Sequence, residues 1–167
     1  MFDRSFAGLP RDQVAELRHE LRLRLQDLAG RARDNHGLDL YVPTERRHGV
    51  TAAASFVVAE VSVGSVPDAD PALLVAQLIA GDAHTSAVTV DGTIGARAQR
   101  VAAADAACGV EHASRRVDYV LPVPADPDRW VVVSLSTLGS GDPDDELAQL
   151  LVELFDAMMT TFRWRRP

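Results

Sequence analysis

A chain of 167 residues with a formal charge of −7 is long enough to bury one core and repels polyanions, which excludes nucleic acid as a partner. Its single cysteine, Cys108, excludes an intrachain disulfide and a thiolate metal cage, and suits a reducing compartment. Alanine accounts for 25 residues and arginine for all 17 basic ones, so the apolar drive rests on a modest set of Leu, Val, Ile, Phe and Met side chains.

The first residues, M-F-D-R-S-F-A-G-L-P, place an acid early and contain no apolar signal core, and no run reaches the ~18 apolar residues of a membrane span. A cytoplasmic location is therefore expected. From Pro10 to about Asp34, Val14, Leu17, Leu21, Leu25 and Leu28 recur at three- and four-residue intervals, predicting a helix with one apolar stripe. Acid-first pairs at Glu20 and Arg24, and at Asp27 and Arg31, support it.

L-D-L-Y-V-P (38–43) and A-A-S-F-V-V-A-E-V-S-V-G (53–64) predict two strands. In the second, Val57, Ala59, Val61 and Val63 share one face, while Phe56 and Val58 lie on the other. Asp70-Pro71 is a cap followed by proline at the first helical position, opening a short helix through Leu74, Val75, Leu78 and Ile79 to Gly81. Asp91-Gly92, between alternating segments in 86–101, predicts a hairpin because both residues tolerate positive φ. A-A-A-D-A-A-C-G (102–109) has no period and reads as a loop.

A second hairpin pairs 115–124 with 129–138 around the turn A-D-P-D, with Val117, Tyr119, Leu121 and Val123 facing the core. The last helix is predicted from Asp142-Pro143 to about Arg163, with Asp142 as its cap. Leu147, Leu150, Leu151, Leu154, Phe155, Met158 and Phe162 form its wide apolar stripe. The order is helix, two strands, helix, four strands in hairpins, helix. It predicts a single α+β domain over 1–167: a largely antiparallel sheet of about six strands with helices packed on it, the 10–35 helix packed on or appended to a sheet domain at 37–167.

Gly139-Ser140-Gly141, before a helix, invites comparison with a phosphate loop. No lysine exists in the chain, and Asp142, Asp144, Asp145 and Glu146 already fill the positive field of that helix start, so the segment reads as a corner. His19, His36, His48, His84 and His112 each stand alone in their segments without metal-ligand spacing. Ser114 and Cys108 near His112 lack a nucleophile-elbow context. No catalytic, cofactor-binding or metal-ligating residue is assigned and no cofactor is expected. Trp130 is expected beneath a helix and Trp164 at a sheet edge. With Arg97 and Tyr119 these tryptophans form the candidate ligand or partner surface.

D-G-T-I-G-A-R-A, then R-R-V-D-Y-V-L-P-V-P and R-W-V-V-V-S-L-S-T, then L-V-E-L-F-D-A-M-M-T-T-F-R-W, together resemble the PsbP-like α/β/α fold family over roughly 37–167. Bacterial relatives in that family include LpqN-type lipoproteins and small chaperones or accessory proteins of secretion systems. The resemblance implies a mostly non-catalytic fold that binds proteins or small ligands, with no catalytic residue to carry over. The chain lacks the signal segment and N-terminal cysteine of the lipoprotein members, which implies a cytoplasmic version. The expected function is a non-enzymatic protein-binding or adaptor domain, as an accessory or chaperone protein of a secretion system. The alternative is a small-molecule-binding or enzymatic domain with a pocket between sheet and helix near Arg97, Tyr119 and Trp130. A protein partner is expected and a homodimer, through a sheet face or the N-terminal helix, is admitted.

Overall fold

Alternating apolar residues and two tight hairpin turns place six strands in one sheet. The computed structural model describes residues 36–43, 53–62 and 70–165 except Gly109, without the side chains of Cys108 and Pro127, together with His19, Leu23, Gln26, Gly30 and 32–34. The chain divides into two compact units, Met1–Gly37 and Leu38–Pro167. In the first, the described residues up to Asp34 are helical; the expected stripe Val14, Leu17, Leu21, Leu25 and Leu28 and the two acid-first pairs lie outside the described residues.

The strands are β1 (Gly37–Tyr41), β2 (Ala54–Ser62), β3 (Thr85–Val90), β4 (Thr93–Ala102), β5 (Ser114–Val123) and β6 (Asp126–Thr137). Their order across the sheet is β1-β2-β6-β5-β4-β3, and β2–β6, β6–β5, β5–β4 and β4–β3 are antiparallel pairs. The α+β class expected from the pattern is therefore the observed one. Helix α1 (Pro71–Gly81) connects β2 to β3, and helix α2 (Glu146–Thr160) follows β6. Among the described residues no helix is long and apolar enough to cross a membrane.

Local chemistry fixes most of the turns. Asp70 caps α1 by accepting the Ala72 N–H at 2.9 Å, with Pro71 in the first turn. Asp91 and Gly92 take φ of 46° and 78°, the pair of left-handed residues that joins β3 to β4 tightly. Residues 102–109 are less irregular than expected: Ala106–Cys108 forms a 3₁₀ turn, closed by a bridge between Asp105 and Val110. Asp105 also accepts the Ala107 N–H at 3.0 Å.

The β5–β6 turn departs from expectation. A four-residue A-D-P-D turn would pair Pro124 with Arg129, and hence Tyr119 with Ser134. Instead β6 begins at Asp126, the turn is Pro124-Ala125 with Ala125 at φ 65°, and the pairing shifts at Pro122/Val123. Beyond that irregularity Tyr119 pairs with Val133 and Leu121 with Val131. A one-residue change of register reverses which side chains share a face.

The sheet consequently carries two cores. On one face Val117, Tyr119, Leu121, Val131, Val133 and Leu135 meet Val152, Phe155 and Met159 of α2. On the other, Trp130 and Ala96 meet Val75 of α1, with Leu74, Ile79 and Val120 packed around them. Trp130 is thus covered by a helix, at 2% exposure.

The start of α2 corrects a second expectation. Its cap is Asp145, not Asp142, and the helix begins at Glu146 rather than at Pro143. Asp145 accepts the Ala148 N–H at 2.6 Å and, through its other oxygen, the Ser140 N–H at 2.6 Å and the Ser140 hydroxyl. Those bonds, led by the one from the Ser140 hydroxyl, hold its carboxyl below the usual range. Asp142 instead accepts the Asp144 N–H at 2.9 Å within the turn. The donors of the Gly-Ser-Gly corner are therefore met by the protein's own acceptors: Ser140 by the Asp145 carboxylate, the Gly139 N–H by Thr137 Oγ1 at 3.1 Å and the Gly141 N–H by the Leu138 carbonyl at 3.0 Å.

Gly139, at φ 60°, makes this possible, because a Cβ there would lie 2.3 Å from Asp145 Oδ1 and 2.5 Å from the Asp142 carbonyl oxygen. Gly139→Ala is expected to cost about 2 kcal/mol in urea unfolding. Gly81→Ala, where a Cβ meets nothing within 4 Å, is expected to be neutral or slightly stabilising.

Candidate functional site

The even-numbered side chains of β5 and β6 face α1. Among the described residues that helix packs mainly over β3 and β4 rather than over the β5–β6–β2 part of the same face. Between helix and sheet runs a groove of about 570 Å³, lined by Val61, Leu74, Leu78, Val120, Trp130 and Val132, with Gln77 and Asp82 as its polar side chains. Val61 and Leu78 remain 42% and 45% exposed. Asp82 is engaged locally, accepting the His84 N–H at 2.9 Å. That bond holds its carboxyl below the usual range. The groove presents mainly apolar surface, and none of its lining groups forms an acid–base or nucleophile–base pair.

The apolar surface extends beyond the groove. Tyr41 stacks on Phe56 with ring centroids 4.3 Å apart, on the α2 side of the sheet where Phe56 packs. Alternation along β1 therefore turns Leu38 and Leu40 toward the α1 side, where both are exposed. At the opposite end of the groove the face becomes polar. Asp118, 7% exposed, accepts Arg116 Nε at 3.1 Å and the Ser134 hydroxyl, and Arg100 Nη2 lies 3.2 Å away.

Of the four surface candidates, the structure brings Arg97 and Tyr119 together and separates the others. Arg97 and Tyr119 pair across β4 and β5 on the α2 side. Arg97 donates to both oxygens of Asp156 on α2, at 2.9 and 2.8 Å, and to Gln99 Oε1 at 2.9 Å; Tyr119 donates to Asp156 Oδ1 at 2.8 Å. Burial opposes the Arg97 charge, but the hydrogen bond to Asp156 and the attraction of that carboxylate, helped by Tyr119, together outweigh it and raise the guanidinium further.

Trp130 lies on the opposite face as part of the groove floor. Trp164 lies at the β3–β4 hairpin, its N–H donating to Asp91 at 2.9 Å and its indole to Thr93 at 3.1 Å. A single pocket containing Arg97, Tyr119 and Trp130 does not form, because the shifted β5–β6 register puts Tyr119 and Trp130 on different faces.

Two residues important here escaped the sequence reading, Asp118 and Asp156. Each carried a signal: Asp156 interrupts the apolar helix stripe between Phe155 and Met158, and Asp118 sits mid-strand two residues from Arg116. No known protein-family model matches the chain, and no curated protein is significantly similar to it.

Burial, reinforced by the Asp156 carboxylate, pushes the Tyr119 phenol from 10.0 to about 12. Above pH 10 the unfolded chain loses this proton while the folded chain keeps it to about pH 12, so the unfolded state binds fewer protons across that window and stability falls as pH rises through it. Urea unfolding between pH 9 and about 11 is expected to show this decline. Tyr119→Phe should lower stability at neutral pH and flatten the slope above pH 10.

Proposed function

We propose that the domain is a non-enzymatic protein-binding module that takes an apolar segment of its partner into the groove between α1 and the sheet. The observation that carries this reading is the continuity of the surface. From Trp130, Val120 and Leu78 it passes across Val132 and Val61 to Leu38 and Leu40 on β1. An apolar surface that crosses several strands fits an extended or helical chain segment better than a compact metabolite. Each buried Leu- or Val-sized side chain contributes about 1.5–3 kcal/mol before the entropic cost of association is met, so several such anchors along one segment are required. Arg100 and Arg116 beside Asp118 supply a polar end to which a partner's acidic group could orient. On the PsbP-like resemblance, we take the partner to be a secreted or membrane-associated protein and the domain to be its accessory or chaperone in the cytoplasm.

Photo-crosslinking in the native cell tests this. A benzophenone amino acid placed at Leu78 or Val61 is expected to capture one protein of discrete mass, and the same group at exposed Asp128 to capture none. Leu74→Glu should reduce capture from the Leu78 position at least tenfold. If those positions capture no protein while a small metabolite stabilises the fold to heat, the small-molecule reading replaces this one.

A further inference from the structure

Helix α2 carries more apolar surface than the sheet covers. Ala148, Val152, Phe155 and Met159 are buried, whereas Leu150, Leu154 and Met158 are 53%, 57% and 41% exposed. The broad stripe expected to serve the core is therefore two stripes, and the outer one follows an i, i+4, i+8 row along the helix. Beside it lies an apolar hollow of about 310 Å³, bounded by Tyr41, Val42, Phe56, Leu151, Leu154 and Met158. Rows of this spacing are the ridges by which helices pack into one another.

We propose that this ridge is a homodimer interface, in which α2 pairs antiparallel with α2 of a second copy. Charge selects this occupant. Glu146 and Asp144, the latter also bound to Arg115, stand at the N-terminal end of the ridge, and Arg165 and Arg163, the latter 3.8 Å from Asp91, lie beyond its C-terminal end, all on exposed residues. An antiparallel copy sets each acidic end against the partner's basic end and opposes the two helix dipoles; a parallel copy would set acid against acid.

The row is also its own complement under a twofold axis at its middle residue. Leu154 then meets Leu154 of the second copy, and Leu150 meets Met158. The side chains at either end of the row enter the partner's hollow beside Tyr41. This surface is on the face of the sheet opposite the partner groove, so the two associations are independent.

Light scattering is expected to give a concentration-dependent mass approaching twice the 18.0 kDa chain. Leu154→Glu, at an exposed position, is expected to return a monomer with an unchanged far-UV spectrum. In a Cys108→Ser background, Leu154→Cys should be joined to its copy by a short bis-maleimide, whereas the control Leu73→Cys on α1 should not. A monomeric mass at every concentration up to the solubility limit overturns the proposal. So does a dimer that survives Leu154→Glu and gives no Leu154→Cys crosslink. A failed partner capture at Leu78 leaves these readouts untouched, so the two proposals fall separately.

Discussion

The pairing of Tyr119 with Val133, and therefore of Val120 with Val132, is the constraint on which the described fold depends. Strand side chains alternate, so this register sends Val117, Tyr119, Leu121, Val131, Val133 and Leu135 to α2 and leaves Val120, Trp130 and Val132 for α1. A slip of one residue would bring Trp130 and Tyr119 to the same face, either Trp130 against the longer helix or the Tyr119 phenol under the shorter one, away from Asp156. The shift at Pro122/Val123 holds the register by absorbing the extra residues near the turn, where Pro127 has no N–H to give to a ladder. Two-sidedness follows: one face carries the larger core, the other, among the described residues, an apolar surface that α1 covers in part.

Polar groups fix what apolar packing alone would leave adjustable. Asp156 ties α2 to β4 and β5 through Arg97 and Tyr119, so the helix cannot rotate to bury Leu154 in place of Phe155 without breaking three hydrogen bonds. Asp145 ties the start of the same helix to the Gly139 corner. With both ends of its rotation set, α2 keeps its outer row of Leu150, Leu154 and Met158 in solvent. The same carboxylates occupy the helix N-terminus and the Arg97 guanidinium, so the strongest polar positions on this side serve the scaffold.

Elements set by local chemistry were legible in the sequence. Asp70-Pro71 announced α1, Asp91-Gly92 announced the β3–β4 turn, and alternation in 53–64 and 115–124 announced β2 and β5, each within a few residues of the observed bounds. What depended on choice among equivalents was not. Four acids in five positions follow Gly141, and any could cap a helix; Asp145 wins because its carboxylate also reaches Ser140.

Leu, Val, Phe and Met around α2 define two overlapping stripes, and periodicity cannot say which one the sheet covers. The candidate surface mixed residues of both faces for a related reason. Parity across the β5–β6 hairpin depends on a turn length and a register shift that the A-D-P-D sequence does not declare.

The central claim is that this register leaves an accessible apolar groove directly over Trp130. Energy transfer from Trp130 to the apolar-surface dye 1-anilinonaphthalene-8-sulfonate measures it most directly, in a Trp164→Phe variant that leaves Trp130 as the only tryptophan. The account predicts saturable transfer that Leu78→Glu removes while Leu154→Glu does not. Absence of transfer, or transfer unchanged by Leu78→Glu, would contradict it.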